Sequence, residues 1–202
     1  MGRPREVTDE QIVAVARRCL LKRGAGVSAA DIAKELGVSH TTLFNRFGSK
    51  EGLMLAALGP PTQKVAWVAA LEVGPDERPI RQQLVEHAKT MSIFYQELQM
   101  GIGILQAAGI DVASAHKKAK GRTSTSAPEQ AYAALVGWLE RAQKQGRLGK
   151  CDVDTLASTL LGALQGWAFM ARVCGLPSSS AAGKDYVERL IDLLWTGVGD
   201  GG

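Results

Sequence analysis

Three histidines and three cysteines are the first residues to test for chemistry in this 202-residue chain. His40, His87 and His116 lie far apart, and Cys19, Cys151 and Cys174 fit neither a zinc spacing nor a disulfide framework. No Ser/His/Asp, Cys/His, paired-carboxylate or glycine-rich phosphate arrangement accompanies them. The sequence therefore predicts no catalytic residue, no bound metal and no cofactor. The spacing that does carry chemistry lies in residues 28–47, SAADIAKELGVSHTTLFNRF. A small residue, Ala33, stands where two helices approach closely. Gly37, four residues on, permits a tight turn, and Leu43, six further, anchors a second helix on a core. That second helix opens with Ser39, His40, Thr41 and Thr42. Hydroxyls and an imidazole at the amide-rich start of a helix suit phosphate oxygens and base edges in a major groove. The same spacing also describes a plain helical hairpin, so both readings stand at this point.

The elements that must position these residues are short and individually capped. Thr8 caps a first helix, with Gln11 completing a capping box, and Gly24 stops it after Lys22 and Arg23. Ser28 caps a helix over Ala29 to Leu36, Ser39 one through Phe47, and Ser49 a fourth that begins at Lys50. Ile32, Leu36, Val38 and Phe47 are expected to fill the space around Ala33, Gly37 and Leu43. Gly59-Pro60-Pro61 is the first strong break, because paired prolines do not sit inside a regular helix. This places a helix-turn-helix domain at 1–58 and a second helical domain at 59–202.

Beyond the break, helical patterns span about 63–73 and 80–99, with Met100-Gly101-Ile102-Gly103 expected to weaken the second and Gly109 to end the next piece. Lys117 to Ala127 reads as a connector. Helices follow from Pro128 to Gln145 and from Asp152 to Cys174. The run from Ser178 to Gly183 is expected to be a flexible link to a last helix over 184–196. No strand-like alternation occurs, so the fold class is all-α, with about nine helices.

Composition narrows the class further. A hydrophobic fraction of 46% with 22% charged residues excludes a disordered chain. No window approaches the ~18 uncharged apolar residues of a membrane span, and no apolar stretch follows the basic N-terminus as a secretory signal would. A cytoplasmic location is expected. The formal net charge is +4, and residues 1–58 hold nine basic against six acidic groups. Most of the basic excess thus lies in the first quarter of the chain, a weak pointer to a polyanionic partner, since ordinary soluble domains also vary by a few charges.

The run Val38-Ser39-His40-Thr41-Thr42-Leu43-Phe44-Asn45-Arg46-Phe47-Gly48-Ser49-Lys50-Glu51-Gly52-Leu53 resembles the N-terminal DNA-binding region of the tetracycline-repressor (TetR) family. That family shows Val-Ser, Thr-Leu-Tyr, a basic or aromatic pair ending in Phe, and Ser-Lys-Glu-x-Leu. The resemblance extends upstream through Ile32-Ala33 to the first helix, covering about residues 8–58; the remainder agrees in size, helicity and order of elements. It implies a homodimeric, ligand-responsive regulator, most simply a repressor, on a palindromic double-stranded operator. By resemblance, Thr42, Arg46 and Lys50 contact phosphate, His40 and Thr41 read bases, and Ser28, Ser39 and Asn45 belong to the same DNA-binding surface. Phe44 departs from the usual tyrosine and cannot give phosphate a phenol; its ring either touches a thymine methyl or packs. Arg3 and Arg5 form either a DNA-contacting arm or an idle tail.

The same resemblance assigns dimerisation to the last two helices and an effector-binding core to residues 63–145. Leu156, Leu160, Ala163, Leu164, Trp167, Ala171 and Cys174 line one face of the first of those helices, and Leu190, Ile191, Leu194 and Trp195 part of the second. The Thr155, Ser158, Gly162, Gly166 and Phe169 side equally suits a close helix contact. Trp67, Met91, Phe94, Tyr95, Tyr132 and Trp138 are the candidate lining for a small apolar effector. A regulator answering to a partner protein and a small helical enzyme are the alternatives.

Overall fold

A computed structural model describes residues 7–60, 65–113, 127–175 and 180–197, and among these residues every regular element is helical. In chain order they are α1 (Asp9–Arg23), α2 (Ala29–Leu36), α3 (His40–Phe47), α4 (Lys50–Leu58), α5 (Ala66–Val73), α6 (Ile80–Ala107), α7 (Ala127–Lys144), α8 (Val153–Cys174) and α9 (Ser180–Thr196). The all-α expectation and the order of elements hold. Contacts divide the chain into two compact units: one of Met1–Pro60 with Glu97–Thr123, the other of Pro61–Gln96 with Ser124–Gly202. The first unit thus takes in chain well beyond residue 58.

In the first unit the caps read from sequence are present. Thr8 and Ser28 form capping boxes with Gln11 and Asp31, and Ser39 and Ser49 accept from the amides of Thr42 and Gly52. Each bond satisfies one of the orphan donors at a helix start. Gly37 adopts φ 70° and ψ 28°, the left-handed conformation that lets α2 turn into α3. Ile12, Leu20, Ile32, Leu43, Leu53 and Leu58 are almost fully buried in one core, and Leu36, Val38 and Phe47 pack on its edge. α4 stops at Leu58 as expected, with Gly59 as its C-cap.

Two expectations about the middle of the chain are corrected. α6 runs unbroken for 28 residues through Gly101 and Gly103. Gly101 is buried there: a Cβ on it would lie 2.8 Å from the Leu58 carbonyl oxygen, so this glycine provides close packing and not a break. Leu105, further along α6, joins the core of α1–α4. Arg17 of α1 fastens the same region, donating to the Ala57 carbonyl (3.1 Å) and to Glu97 (2.9 Å). The second correction concerns the expected link over Ser178–Gly183: Ser178 and Ser179 lie outside the described residues, but α9 already begins at Ser180, and Gly183 is buried against the Gln96 amide. The expected 117–127 connector, His116 and the basic arm at Arg3 and Arg5 lie outside the described residues, save Ala127, which starts α7.

The second unit is built from α5, the first part of α6, and α7 to α9. Trp67, Leu71, Leu84, Met91, Leu135, Trp138, Leu160, Leu164 and Ile191 form its buried interior. Arg141 of α7 donates to the Leu71 carbonyl (2.7 Å), capping the C-terminal end of α5 with a cation, where the helix dipole favours one. Trp167 stacks on Tyr186 with centroids 4.3 Å apart, joining α8 to α9, and Lys89 pairs with Glu188 at 2.5 Å.

Candidate nucleic-acid interface

α3 is eight residues long and has two faces. Leu43 is 1% exposed and Phe47 is partly buried, both turned to the core; His40, Thr41, Phe44 and Asn45 are all exposed on the opposite side. Those four positions recur at i, i+1, i+4 and i+5, which is one surface of a helix. The His40 ring meets the edge of Phe44 at 6.0 Å between centroids. Phe44 therefore belongs to the outward face, a point the residue types alone leave open.

The start of α3 is held ready. Ser39 Oγ accepts from the Thr42 amide (3.2 Å) and lies 2.9 Å from Thr42 Oγ1, so one hydrogen bond joins the two hydroxyls. Ser39, His40 and Thr41 stay exposed at a helix start that carries partial positive charge. Ser28, at the start of α2, is exposed, but its hydroxyl already donates to Asp31 (2.8 Å). That bond and the Ser28 amide hold the Asp31 carboxyl below its ordinary range.

The two basic side chains are tied into the fold. Arg46 donates to Asp9 (2.9 Å) and to the Val7 carbonyl, linking the end of α3 to the start of α1. Lys50 donates to the Ala25 carbonyl (3.2 Å), linking α4 to the turn after α1. One hydrogen bond leaves an ammonium two further donors, and a guanidinium has five N–H groups in all. Gly52 was not singled out from sequence: a Cβ there would stand 2.1 Å from the Phe47 carbonyl oxygen, so the α3–α4 junction requires a residue with none. Its place three residues after the Ser49 cap, against the end of α3, is the signal that could have marked it.

The proposed effector residues fall into a buried aromatic group and an outlier. Trp67, Met91, Tyr95 and Trp138 are nearly or fully buried and Phe94 is half-buried. Trp67 meets Phe94 edge-on at 5.8 Å, Phe94 meets Tyr95 at 5.4 Å, and His87 meets Trp138 at 5.4 Å. His87 and Phe94 are two helical turns apart on α6 with Met91 between them, so these contacts follow one stripe of that helix. Burial holds the His87 imidazole below its ordinary pKa. The indole N–H groups of Trp67 and Trp138 are buried with no acceptor among the described residues. Tyr132 stands apart, its hydroxyl donating to Asp154 (2.9 Å) at the start of α8.

The predicted dimer face is also redistributed. Leu160, Leu164 and Ala171 are buried within the protomer. The exposed side of α8 is the one bearing Ser158, Gly162, Gly166, Phe169, Met170 and Val173. Among the described residues no group of three His, Cys, Asp or Glu could hold a metal ion, and no helix is long and apolar enough to cross a membrane.

Comparison with known proteins fits this geometry. Residues 12–57 match the profile described as bacterial regulatory proteins, tetR family, and residues 105–196 that of the AefR-like transcriptional repressor, C-terminal domain. An HTH-type transcriptional repressor, BdcR of Escherichia coli K12, is 31% identical over 97 residues, 48% of this chain and 49% of that one. The chain thus matches about half the length of this relative. The fold resembles that of the TetR family transcriptional regulator PfmR from Thermus thermophilus (TM-score 0.57, 21% identity, 97% and 100% of the two chains covered). It also resembles a regulator of the TetR/AcrR family from Thermobifida fusca (TM-score 0.59, 20% identity, 95% and 98% covered). With an N-terminal and a C-terminal match that together span most of its length, the chain belongs to the tetR family of bacterial regulatory proteins.

Proposed function

We propose that this protein is a cytoplasmic, ligand-responsive transcriptional repressor that binds a palindromic operator as a homodimer and is released by a small apolar effector. The observation that carries the reading is the outward face of α3, with His40, Thr41, Phe44 and Asn45 exposed over a fully packed Leu43. A buried anchor with a polar exposed face is what a helix needs to enter a major groove without unfolding. On this reading residues 1–58 act as the DNA-binding domain and 59–202 as the effector and dimerisation domain. His40 and Thr41 read bases. Ser28, Ser39, Thr42, Asn45, Arg46 and Lys50 add hydroxyl, amide and cationic contacts around them. Arg46 and Lys50 meet phosphate with the donors left over from their contacts to Val7, Asp9 and Ala25.

The C-terminal half supplies the other two roles. The exposed Ser158–Gly162–Gly166 row lets a second helix approach closely, and Phe169, Met170 and Val173 give it an apolar surface to cover. The same patch on a twin chain makes a two-fold contact, matching the symmetry of a palindrome. The aromatic stripe of α6, with Trp67 of α5 and Trp138 of α7 packed along it, forms the effector core, and the two unpartnered indole N–H groups offer a ligand hydrogen-bond donors. Effector and operator must oppose each other by the same factor, since linkage is reciprocal. That BdcR is a repressor favours repression over activation.

Gel-shift titration of the full chain against duplex DNA flanking its own gene tests this. A specific complex is expected, with log K falling by ~0.9 per neutralised phosphate against log salt. Equal affinity for any duplex, or none at low salt, would overturn it.

A further inference from the structure

A cleft of about 330 Å³ opens in the second unit, and none of the residues proposed for the effector core lines it. Leu84 of α6 and Ile191 of α9 form its fully buried floor, and Leu148, Leu156, Leu194 and Trp195 its walls. Its size is at the lower end of the ~300–1,000 Å³ typical of small-ligand sites. The remaining edge is the Gly149–Cys151 turn between α7 and α8.

That edge is held in shape by the rest of the fold. The Gln143 side-chain amide donates to the carbonyls of Gly149 (3.0 Å) and Cys151 (3.1 Å), and the Leu148 amide donates to the Ala142 carbonyl (3.2 Å). Arg147 donates to the carbonyls of Asp76 and Arg78, and Asp152 caps α8 one residue beyond the cleft. The edge of the cleft is thus held in place by hydrogen bonds to residues outside its lining.

Charge selects the occupant. Lys150 is the one charged residue in the lining, and it makes no ion pair among the described residues. Apolar side chains from three helices and the α7–α8 turn favour a hydrocarbon body, while a lone ammonium at the edge favours one anionic end. We propose that this cleft is a second small-molecule site, for an amphiphile with one apolar chain and one carboxylate, the chain lying between Leu156 and Leu194 and the carboxylate meeting Lys150.

Cys151 lines the cleft and Cys174 is exposed elsewhere, so the chain carries its own probe and control. The full chain is alkylated with N-ethylmaleimide in the presence of octanoate or octanamide, and each cysteine is followed by peptide mass spectrometry. Octanoate is expected to slow alkylation of Cys151 several-fold and leave Cys174 unchanged, with octanamide protecting several-fold less well. Lys150→Gln removes the difference between the two compounds. Leu194→Trp, which fills the cleft, removes protection by both, and Leu156→Phe does the same from the opposite wall should the first variant fold poorly. No protection by octanoate, equal protection of Cys174, or equal protection by octanamide each overturns the proposal. The assay contains no DNA, so a failure of operator binding leaves it unaffected.

Discussion

Replacing Gly52 with alanine tests whether the α3–α4 junction sets the position of the reading helix. In an unconstrained helix this change is stabilising by ~1 kcal/mol, because alanine loses less backbone freedom on folding. Here the new methyl would sit 2.1 Å from the Phe47 carbonyl oxygen and 3.3 Å from its carbon. Contacts under 3.0 Å do not occur at real Cβ atoms, so the junction must open by about 1 Å. The obstacle is backbone, and the same carbonyl accepts from the Ser49 amide at 2.9 Å, so no rotamer change relieves it. Overpacking of this kind costs ~1–3 kcal/mol and outweighs the helix-propensity gain. A net loss of about 2 kcal/mol lowers Tm by roughly 4–8 °C in a chain of this size. α3 moves with the junction, so specific operator affinity falls even at temperatures where the variant is fully folded. Thermal melting by circular dichroism and operator titration at low temperature read the two effects separately. A Gly52→Ala variant that melts at or above the parent temperature and holds its operator as tightly would refute the reasoning.

Three further outcomes follow from named contacts. His40→Ala and Thr41→Ala should each cost ~1–3 kcal/mol at particular base pairs and relax preference there, whereas Lys50→Ala should weaken all sequences alike and reduce the salt slope by ~0.9; binding titrations over operator variants and salt distinguish the two. Burial lowers the His87 pKa, so the unfolded chain takes up a proton before the folded one: stability is full above about pH 6.5 and declines as pH falls below it. Urea midpoints between pH 7.5 and 5 should show this fall in the parent and a flatter profile in His87→Phe. Phe169→Glu, which charges the exposed side of α8, should shift sedimentation toward the monomer; an unchanged dimer would locate the seam elsewhere.

Local signals carried most of what could be read in advance. Helix starts were legible because Thr8, Ser28, Ser39 and Ser49 each bond the amide three residues on, an interaction that needs nothing distant. Leu43 and Gly37 were legible for the same reason, being fixed by the turn between α2 and α3. What failed depended on partners far along the chain. Gly101 and Gly103 read as a break, yet Gly101 lies against Leu58, some forty residues earlier, and α6 continues. The Ser-rich run before Lys184 read as a link, but Gly183 fits against Gln96. The stripe of leucines on α8 was equally consistent with a seam and a core; the core of the protomer takes Leu160 and Leu164, leaving the glycine side open. For the same reason residue type marked Arg46 and Lys50 as cationic contacts but gave no hint of their bonds to Val7, Asp9 and Ala25. Likewise, no local pattern shows that the indoles of Trp67 and Trp138 are buried without acceptors.

The central claim is that the exposed face of α3 lies in a major groove while a twin copy does the same one turn away. Methylation-protection footprinting of the DNA beside the gene tests this most directly. Two protected major-groove patches, related by a dyad and centred about 34–36 Å apart, are expected, with His40→Ala or Thr41→Ala restoring methylation at individual bases in both. A single patch, protection confined to the minor groove, or a footprint indifferent to both substitutions would contradict it.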